Sequence, residues 1–305
     1  MFFGIAVLLP SAYYCREPVF NQTFFNQTFI NPGAAGKDTN EFYNVLLLTG
    51  SMLSGFEGAP RTTLINIDGQ VKTGGTTSGL TINVLTDKAG FLRNTDFGLG
   101  YAYRIKTAGG SLGIGFSAGV LFSSLDPDGW RQPDGTVTDP AIVNEKSSKK
   151  SFDASLGLFY EDKALFAGIS CLHLASPKIN AAENASFLKP SFYFNGGYKF
   201  ALPDGEIQIV PTVLIVSDLA TAQYEVGVTG FWRNKFWAGL NYRFNTSAGI
   251  LAGLNLFPEL RLGYCYSYNT AILGKFSGNH ELMLSYRFAV YFERGKQKYK
   301  SIRYL

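Results

Sequence analysis

Two histidines and one nearby serine are the residues whose types could support catalysis. His173 and His280 are the only histidines in the chain, and Ser170 lies three residues before His173. A serine beside a histidine would suit a membrane hydrolase, in which the histidine activates the hydroxyl as a nucleophile. Residues three apart on a strand point to opposite faces, so these two side chains are not expected to form that pair. Structural roles are therefore expected for both histidines, and no enzymatic activity is predicted.

An acidic, tryptophan-containing stretch is the other group of residues with chemical potential. Asp126 and Asp128 flank Pro127 and offer oxygens at alternate positions, as a calcium loop does, but the later ligands of such a loop are missing. A solvated loop is therefore expected, with no metal and no cofactor. Trp130 in the same stretch is the candidate external protein contact, because an exposed tryptophan can bury a large area in an interface.

The composition limits which elements can carry these residues. Charged residues make up 16% of the chain and aromatic residues 15%, whereas soluble domains carry about a quarter charged residues. Something other than water is therefore expected to cover part of the surface. No apolar run approaches the roughly 18 to 20 residues of a membrane helix, so a membrane would be crossed by strands. The net charge of +4 is concentrated mainly in the C-terminal tail and gives no support for a nucleic-acid partner.

Alternation of large apolar residues with small or polar ones recurs along the chain with a period of two. It is clearest in residues 97–105, 112–122, 236–244, 260–268 and the last strand, 280–288. A large apolar outer face and a small or polar inner face are typical of β-barrels in lipid. A soluble sandwich would instead need a well-charged solvent face.

Turn residues divide the chain into about 14 strands, an even number, and predict an all-β, transmembrane antiparallel β-barrel. The connections after even-numbered strands are short and three of the others are long, which places both termini on the periplasmic side of an outer membrane. Pro211 cannot donate to a ladder and predicts a bulge. The predicted strands are 42–53, 61–72, 79–86, 95–106, 111–123, 150–160, 164–174, 188–201, 206–216, 220–232, 235–244, 248–257, 259–268 and 279–292.

The remaining segments frame this barrel. Residues 1–15 resemble a secretory signal peptide but lack the usual basic start, which indicates either a true start upstream or a trimmed prefix. Residues 16–41 are predicted to form an irregular periplasmic or lumenal segment, residues 42–292 the barrel, and residues 293–305 a basic periplasmic tail. The irregular segment could pack in the lumen or along a rim, and its candidate contact residues are Phe24, Phe25, Phe29, Asn31 and Pro32.

The tail interleaves basic and apolar residues. Such a stretch could add as a strand to a periplasmic partner, with main-chain hydrogen bonds supplying affinity. A solvated tail, or one whose charge orients the barrel, is the alternative. The candidate docking residues are Lys296, Lys298, Tyr299, Ile302, Arg303, Tyr304 and Leu305.

Charged residues on the inner face predict a polar lumen. They are expected to satisfy one another and plug the barrel, or alternatively to line a conducting pore. The residues concerned are Arg104, Arg243, Arg261, Arg287, Glu225 and Glu281.

Several passages, in order, resemble the PorP/SprF family of outer-membrane proteins of Bacteroidota. They are INPGAAG at 30–36, DFGLGYAYR at 96–104 with GSLGIG at 110–115, LFAGISCLHL at 165–174, and HELMLSYRF at 280–288. The resemblance implies a non-enzymatic role in type IX secretion or gliding. Its implied partners are the C-terminal domain of a secreted adhesin or other cargo, periplasmic ring or peptidoglycan-linked proteins, and outer-membrane lipid. A porin or FadL-like transporter of small or hydrophobic solutes is the alternative function.

Overall fold

The computed structural model describes residues 20–37, 42–52, 58–73, 76–126, 146–179, 187–270 and 278–289. The predicted signal peptide, Trp130 and the predicted tail lie outside the described residues. Among the described residues, no helix is long and apolar enough to cross a membrane.

The described chain is almost entirely strand. It contains one short α-helix, α1 (Gln27–Ile30), and a 3₁₀ turn at Pro32–Ala34. The strands are β1 (Phe42–Ser51), β2 (Arg61–Thr73), β3 (Thr76–Ala89), β4 (Leu92–Lys106), β5 (Gly110–Leu125), β6 (Ser147–Asp162), β7 (Leu165–Leu172), β8 (Ser191–Tyr198), β9 (Phe200–Ala201), β10 (Ile207–Ser217), β11 (Ala222–Trp232), β12 (Phe236–Arg243), β13 (Ser247–Asn255), β14 (Leu260–Asn269) and β15 (Asn279–Ala289).

These strands form one closed antiparallel barrel. Neighbours in sequence pair with each other, and β1 pairs with β15 from Phe42 opposite Ala289 to Ser51 opposite His280. The short β9 continues β8 in the same register against β10, so the two occupy one position in the wall. The prediction of a 14-strand antiparallel barrel is therefore confirmed, and the last strand closes it by pairing with the first.

The bulge predicted at Pro211 is wrong. Pro211 lies opposite Val228 within an unbroken register between β10 and β11. On the other side of β10, the neighbouring strand is interrupted: β8 ends at Tyr198 and β9 begins at Phe200. The register against β10 is the same on both sides of this gap. A proline without an N–H is accommodated here by a local interruption of the adjacent strand.

The two faces of the wall follow the predicted alternation. Outward side chains such as Leu99, Phe152 and Ile250 are 52%, 60% and 63% exposed. Their neighbours in sequence point inward and are small or polar, as Gly100 and Ala102 are in β4. An apolar outer surface of this kind is stable where lipid covers it.

The two ends of the barrel differ in their connections. The end that we call the turn end carries the short links 74–75, 107–109, 163–164, 202–206, 233–235 and 256–259. At the link between β11 and β12, Arg233 and Asn234 both have φ of 50°, the conformation of a type I′ turn. The opposite end, the loop end, carries the long connections 126–146 and 173–190 together with shorter ones. The predicted set of short connections on one end is confirmed.

Candidate functional site

A segment of the chain's own N-terminal region occupies the inside of the barrel. Residues 20–37, called the lumen segment from here on, precede β1, and all four residues of α1 are buried. The segment begins at Phe20, beside Gly50 and Glu281 near the loop end, and ends at Lys37, beside Lys106 at the turn end. The candidate contact residues Phe24, Phe25, Phe29, Asn31 and Pro32 all belong to it.

Glycines in the wall make room for the backbone of the lumen segment. An added Cβ at Gly113 would overlap the carbonyl oxygen of Gly33, and one at Gly79 would overlap that of Ala35. An added Cβ at Gly115 would overlap the amide nitrogen of Gly33. The inward glycines of β3 and β5 therefore form a cradle into which the NPGAAG passage fits by direct backbone contact.

Asn31 ties this passage to the wall. Its Nδ2 donates to the carbonyl oxygens of Leu158 in β6, at 2.9 Å, and Ile169 in β7, at 3.4 Å. Its Oδ1 accepts from the amide of Gly33 at 2.9 Å and so caps the 3₁₀ turn that begins at Pro32. A fully buried amide whose donor and acceptor are both used holds the segment in a single position.

Aromatic residues hold the part of the lumen segment near the turn end. Phe25 packs against Trp237 with ring centroids 5.2 Å apart, and Phe24 lies 5.5 Å from Phe231 and 5.9 Å from Phe166. Phe29 belongs to the main buried apolar cluster. These contacts make an apolar core inside the barrel, which the outward-facing aromatic residues do not share.

A polar network holds the beginning of the segment. The backbone amide and the side-chain Nδ2 of Asn21 donate to the carboxylate of Glu281 at 2.7 to 3.0 Å. Asn241 Nδ2 donates to Asn21 Oδ1 at 3.0 Å. Because strands β12 and β15 contribute to the same network, Asn21 links separate parts of the wall through the lumen.

The inner charges behave partly as predicted. Arg243 and Glu225 form a buried ion pair with an N–O distance of 2.6 Å, so these two do satisfy each other. Arg243 also donates to the carbonyl oxygen of Phe20, and Arg104 donates to that of Ala35 at 3.1 Å. The inner charges thus serve the lumen segment as well as one another.

Two small cavities lie beside the lumen segment, one at its beginning and one at its aromatic part. One cavity near Phe20 and Glu281 holds about 20 Å³, and another near Thr23 and Asn195 holds about 10 Å³. Each volume suits about one water molecule. The segment therefore leaves room for about one water molecule in each of these two cavities, whereas a larger opening lies beside Lys37 at the turn end.

Ser170 and His173 are both buried, which differs from the expected arrangement on opposite faces. The strand β7 ends at Leu172, and His173 has φ of 58°, so alternation does not extend to it. The Ser170 hydroxyl donates to the carbonyl oxygen of Ile30 at 2.5 Å, and His173 Nδ1 lies 2.6 Å from an Asp153 oxygen. Both side chains thus have structural contacts.

The acidic stretch is only partly described, and some residues that contact the lumen segment were not predicted from the sequence. Asp126 forms an exposed ion pair with Lys146 at 3.2 Å, and Asp128 lies outside the described residues. Asn21, Asn241 and the glycine cradle were not singled out from the sequence. The signal that could have found the cradle is the run of glycines on inward positions, such as Gly113 and Gly115.

Comparisons with known proteins agree with this architecture. A family model described as type IX secretion system membrane protein PorP/SprF matches residues 12–286. No curated protein matches the sequence. The solved CymD monoaromatic hydrocarbon channel is similar with a TM-score of 0.55 at 11% identity, covering 88% of this chain and 93% of the channel. The Ralstonia pickettii toluene transporter TbuX gives 0.52 at 11% identity, covering 87% and 93%. At these identities the likeness concerns the fold.

Proposed function

Because the chain belongs to the PorP/SprF family of type IX secretion system membrane proteins, we propose that this outer-membrane barrel is a non-enzymatic anchor. In this role it holds or displays the C-terminal domain of a secreted adhesin or other cargo. It also docks periplasmic ring or peptidoglycan-linked proteins. The barrel then serves as a fixed platform in the membrane between these two sets of partners.

The observation that carries this proposal is the lumen segment inside the barrel, from which we infer a plugged lumen. The lumen segment is held at its start by Asn21, in its middle by Asn31 and along its aromatic part by Phe25. A segment bound at so many points costs free energy to displace, because each buried hydrogen bond would lose its partner. This arrangement suits a rigid anchor better than a pore, although the fold resembles channels.

The proposed orientation places the turn end in the periplasm and the loop end outside the cell. Short periplasmic turns and longer outer loops are the usual arrangement of outer-membrane barrels. Both β1 and β15 reach the turn end with their outer termini, Phe42 and Ala289. Periplasmic docking is then assigned to the basic tail, and cargo contact to the loop that contains Trp130.

Deletion of the tail tests the docking half of this proposal. Removal of residues 294–305 is expected to leave a folded barrel that no longer co-purifies with periplasmic partners from gently solubilised outer membranes. A tail of equal length in which Lys296, Lys298 and Arg303 are replaced by Gln separates the effect of charge from that of length. If every partner still co-purifies with the shortened, folded protein, docking through the tail is wrong.

Cargo contact has its own test. The Trp130→Ala variant is expected to retain less cargo at the cell surface, since a tryptophan in an interface often supplies much of the binding energy. Trp232→Ala is the matched control, because Trp232 is a half-exposed outward residue at the turn end. Equal retention of cargo by both variants would contradict the role of Trp130.

A further inference from the structure

A pocket of about 540 Å³ opens at the turn end, inside the ring of strands. Its wall comes from the ends of β2, β4 and β6 and the starts of β3 and β5, and the last residue of the lumen segment, Lys37, also lines it. Arg104 at its inner side donates to the carbonyl oxygen of Ala35. The lumen segment therefore lines the inner side of this pocket, whose volume falls in the range of ligand sites.

Basic side chains dominate the lining. Among the described residues, the pocket contains Lys37, Lys72, Arg104, Lys106 and Lys163, against two acidic residues. Lys37 Nζ donates to the neutral Gln27 Oε1 at 2.5 Å. Like charges gathered around one concave opening reinforce each other's field and raise the local concentration of anions.

The two acidic residues are engaged with other groups. Glu161 accepts from Lys199 at 2.9 Å. Asp162 Oδ1 accepts from the backbone amides of Ala164 and Leu165 at 2.8 and 2.7 Å, and so it shapes the turn between β6 and β7. Both carboxylates thus have partners outside the basic residues of the pocket, and the described lining carries more positive than negative charge.

The position of the pocket favours an acidic peptide over a lipid headgroup as its ligand. Its residues alternate with outward apolar side chains, as Lys106 does with Ile105 and Ser111 with Leu112. A lipid headgroup at the outer surface of the barrel would be separated from the pocket by the wall itself. A flexible acidic peptide that approaches along the barrel axis would reach the described lining without crossing the wall.

We propose that this turn-end pocket binds an acidic segment of a partner protein. Carboxylates of the segment lie among Lys37, Lys106 and Lys163. The assignment of that partner to the periplasm rests on the proposed function, whereas the binding of an acidic peptide does not. The pocket would add a second basic contact to the one expected from the tail.

A fluorescent hexaglutamate peptide provides the test, with the full-length protein purified in a neutral detergent. Saturable binding that weakens as salt is added is expected from fluorescence anisotropy. Lys106→Glu combined with Lys163→Glu is expected to weaken binding by roughly tenfold or more, because two attractions become repulsions. Lys235→Glu is the control, since Lys235 lies at the turn end between β11 and β12 but does not line the pocket.

Heat-dependent migration on gels verifies that each variant is folded. The proposal is overturned if the folded wild type does not bind the peptide, or if the control loses binding as strongly as the pocket variant. It is also overturned if the pocket variant loses binding to vesicles of anionic lipid but still binds the peptide. If the peptide binds as expected while tail deletion leaves all partners attached, the tail-docking proposal fails and the pocket assignment stands.

Discussion

Glycines in the wall are the residues on which the internal fit depends most. At Gly113 and Gly79 the backbone of the lumen segment occupies the space of a side chain. Not every inward glycine makes room for the lumen segment. An added Cβ at Gly98 would meet only the Asn83 Cβ at 4.0 Å. Two inward glycines of adjacent strands therefore have different structural roles.

The Gly113→Ala substitution should destabilise the barrel, because the new methyl group would overlap the Gly33 carbonyl oxygen. Overpacking of this kind typically costs about 1 to 3 kcal/mol. Gly98→Ala is the matched control and should change the free energy of unfolding little. Urea unfolding in detergent micelles measures both. Equal stability of the two variants would contradict the cradle.

The Arg243→Met substitution should also destabilise the protein, because it leaves the buried carboxylate of Glu225 without its ion-pair partner. Loss of one partner of a buried pair typically costs about 3 to 5 kcal/mol. Arg233 and Glu206 form an exposed pair at 2.7 Å, with side chains 59% and 44% exposed. Arg233→Met should therefore cost about 0 to 1 kcal/mol. Similar losses of unfolding free energy in the two variants would show that burial does not matter here.

At the scale of elements, the lumen segment and the wall depend on each other. The segment has only four α-helical residues, too few for an isolated helix to be stable. Contacts with β6, β7, β12 and β15 supply its order instead. In return it covers inward polar groups such as Glu281 that would otherwise face an open lumen.

The Asn21→Asp substitution should loosen this segment, because it places a second carboxylate against that of Glu281. Planar-bilayer recordings are expected to show a closed wild type and openings in the variant. Adding Glu281→Gln should restore the closed state, since the new amide can donate to the carboxylate at position 21. Large, steady openings of the wild type would contradict the plugged lumen, and a closed variant would contradict the role of Asn21.

At the scale of the whole molecule, the two ends of the barrel offer different surfaces. The turn end has short links and the basic pocket that contains Lys106 and Lys163. The loop end has the long connections 126–146 and 173–190. In the proposed orientation, these two surfaces face opposite sides of the membrane.

Cysteine labelling on whole cells tests this orientation. Thr107→Cys at the turn end and Ala220→Cys at the loop end both introduce thiols at exposed positions. In a chain whose own cysteines are replaced by Ala, a membrane-impermeant maleimide should label position 220 in intact cells. Position 107 should react only after the outer membrane is permeabilised. The reverse pattern would overturn the proposed orientation.

The barrel, its number of strands and the sorting of residues between its faces could all be predicted from the amino-acid sequence. Alternation in stretches such as 97–105 carries that information, because each strand must satisfy lipid on one side independently of distant residues. The predicted ends were less accurate. Strands β3 and β4 extend to Ala89 and Leu92 around a two-residue turn, whereas 79–86 and 95–106 were expected. Polar residues at strand ends obscure such boundaries.

The segment inside the barrel could be identified only from the folded chain. The sequence left residues 16–41 in the lumen or along a rim, because FNQTF and NPGAAG have no periodicity that specifies a neighbour. The partners of Asn21 and Asn31 lie 260 and 127 residues away in Glu281 and Leu158. Hydrogen bonds over such separations exist only after the strands have closed around the segment, so no local pattern could predict them.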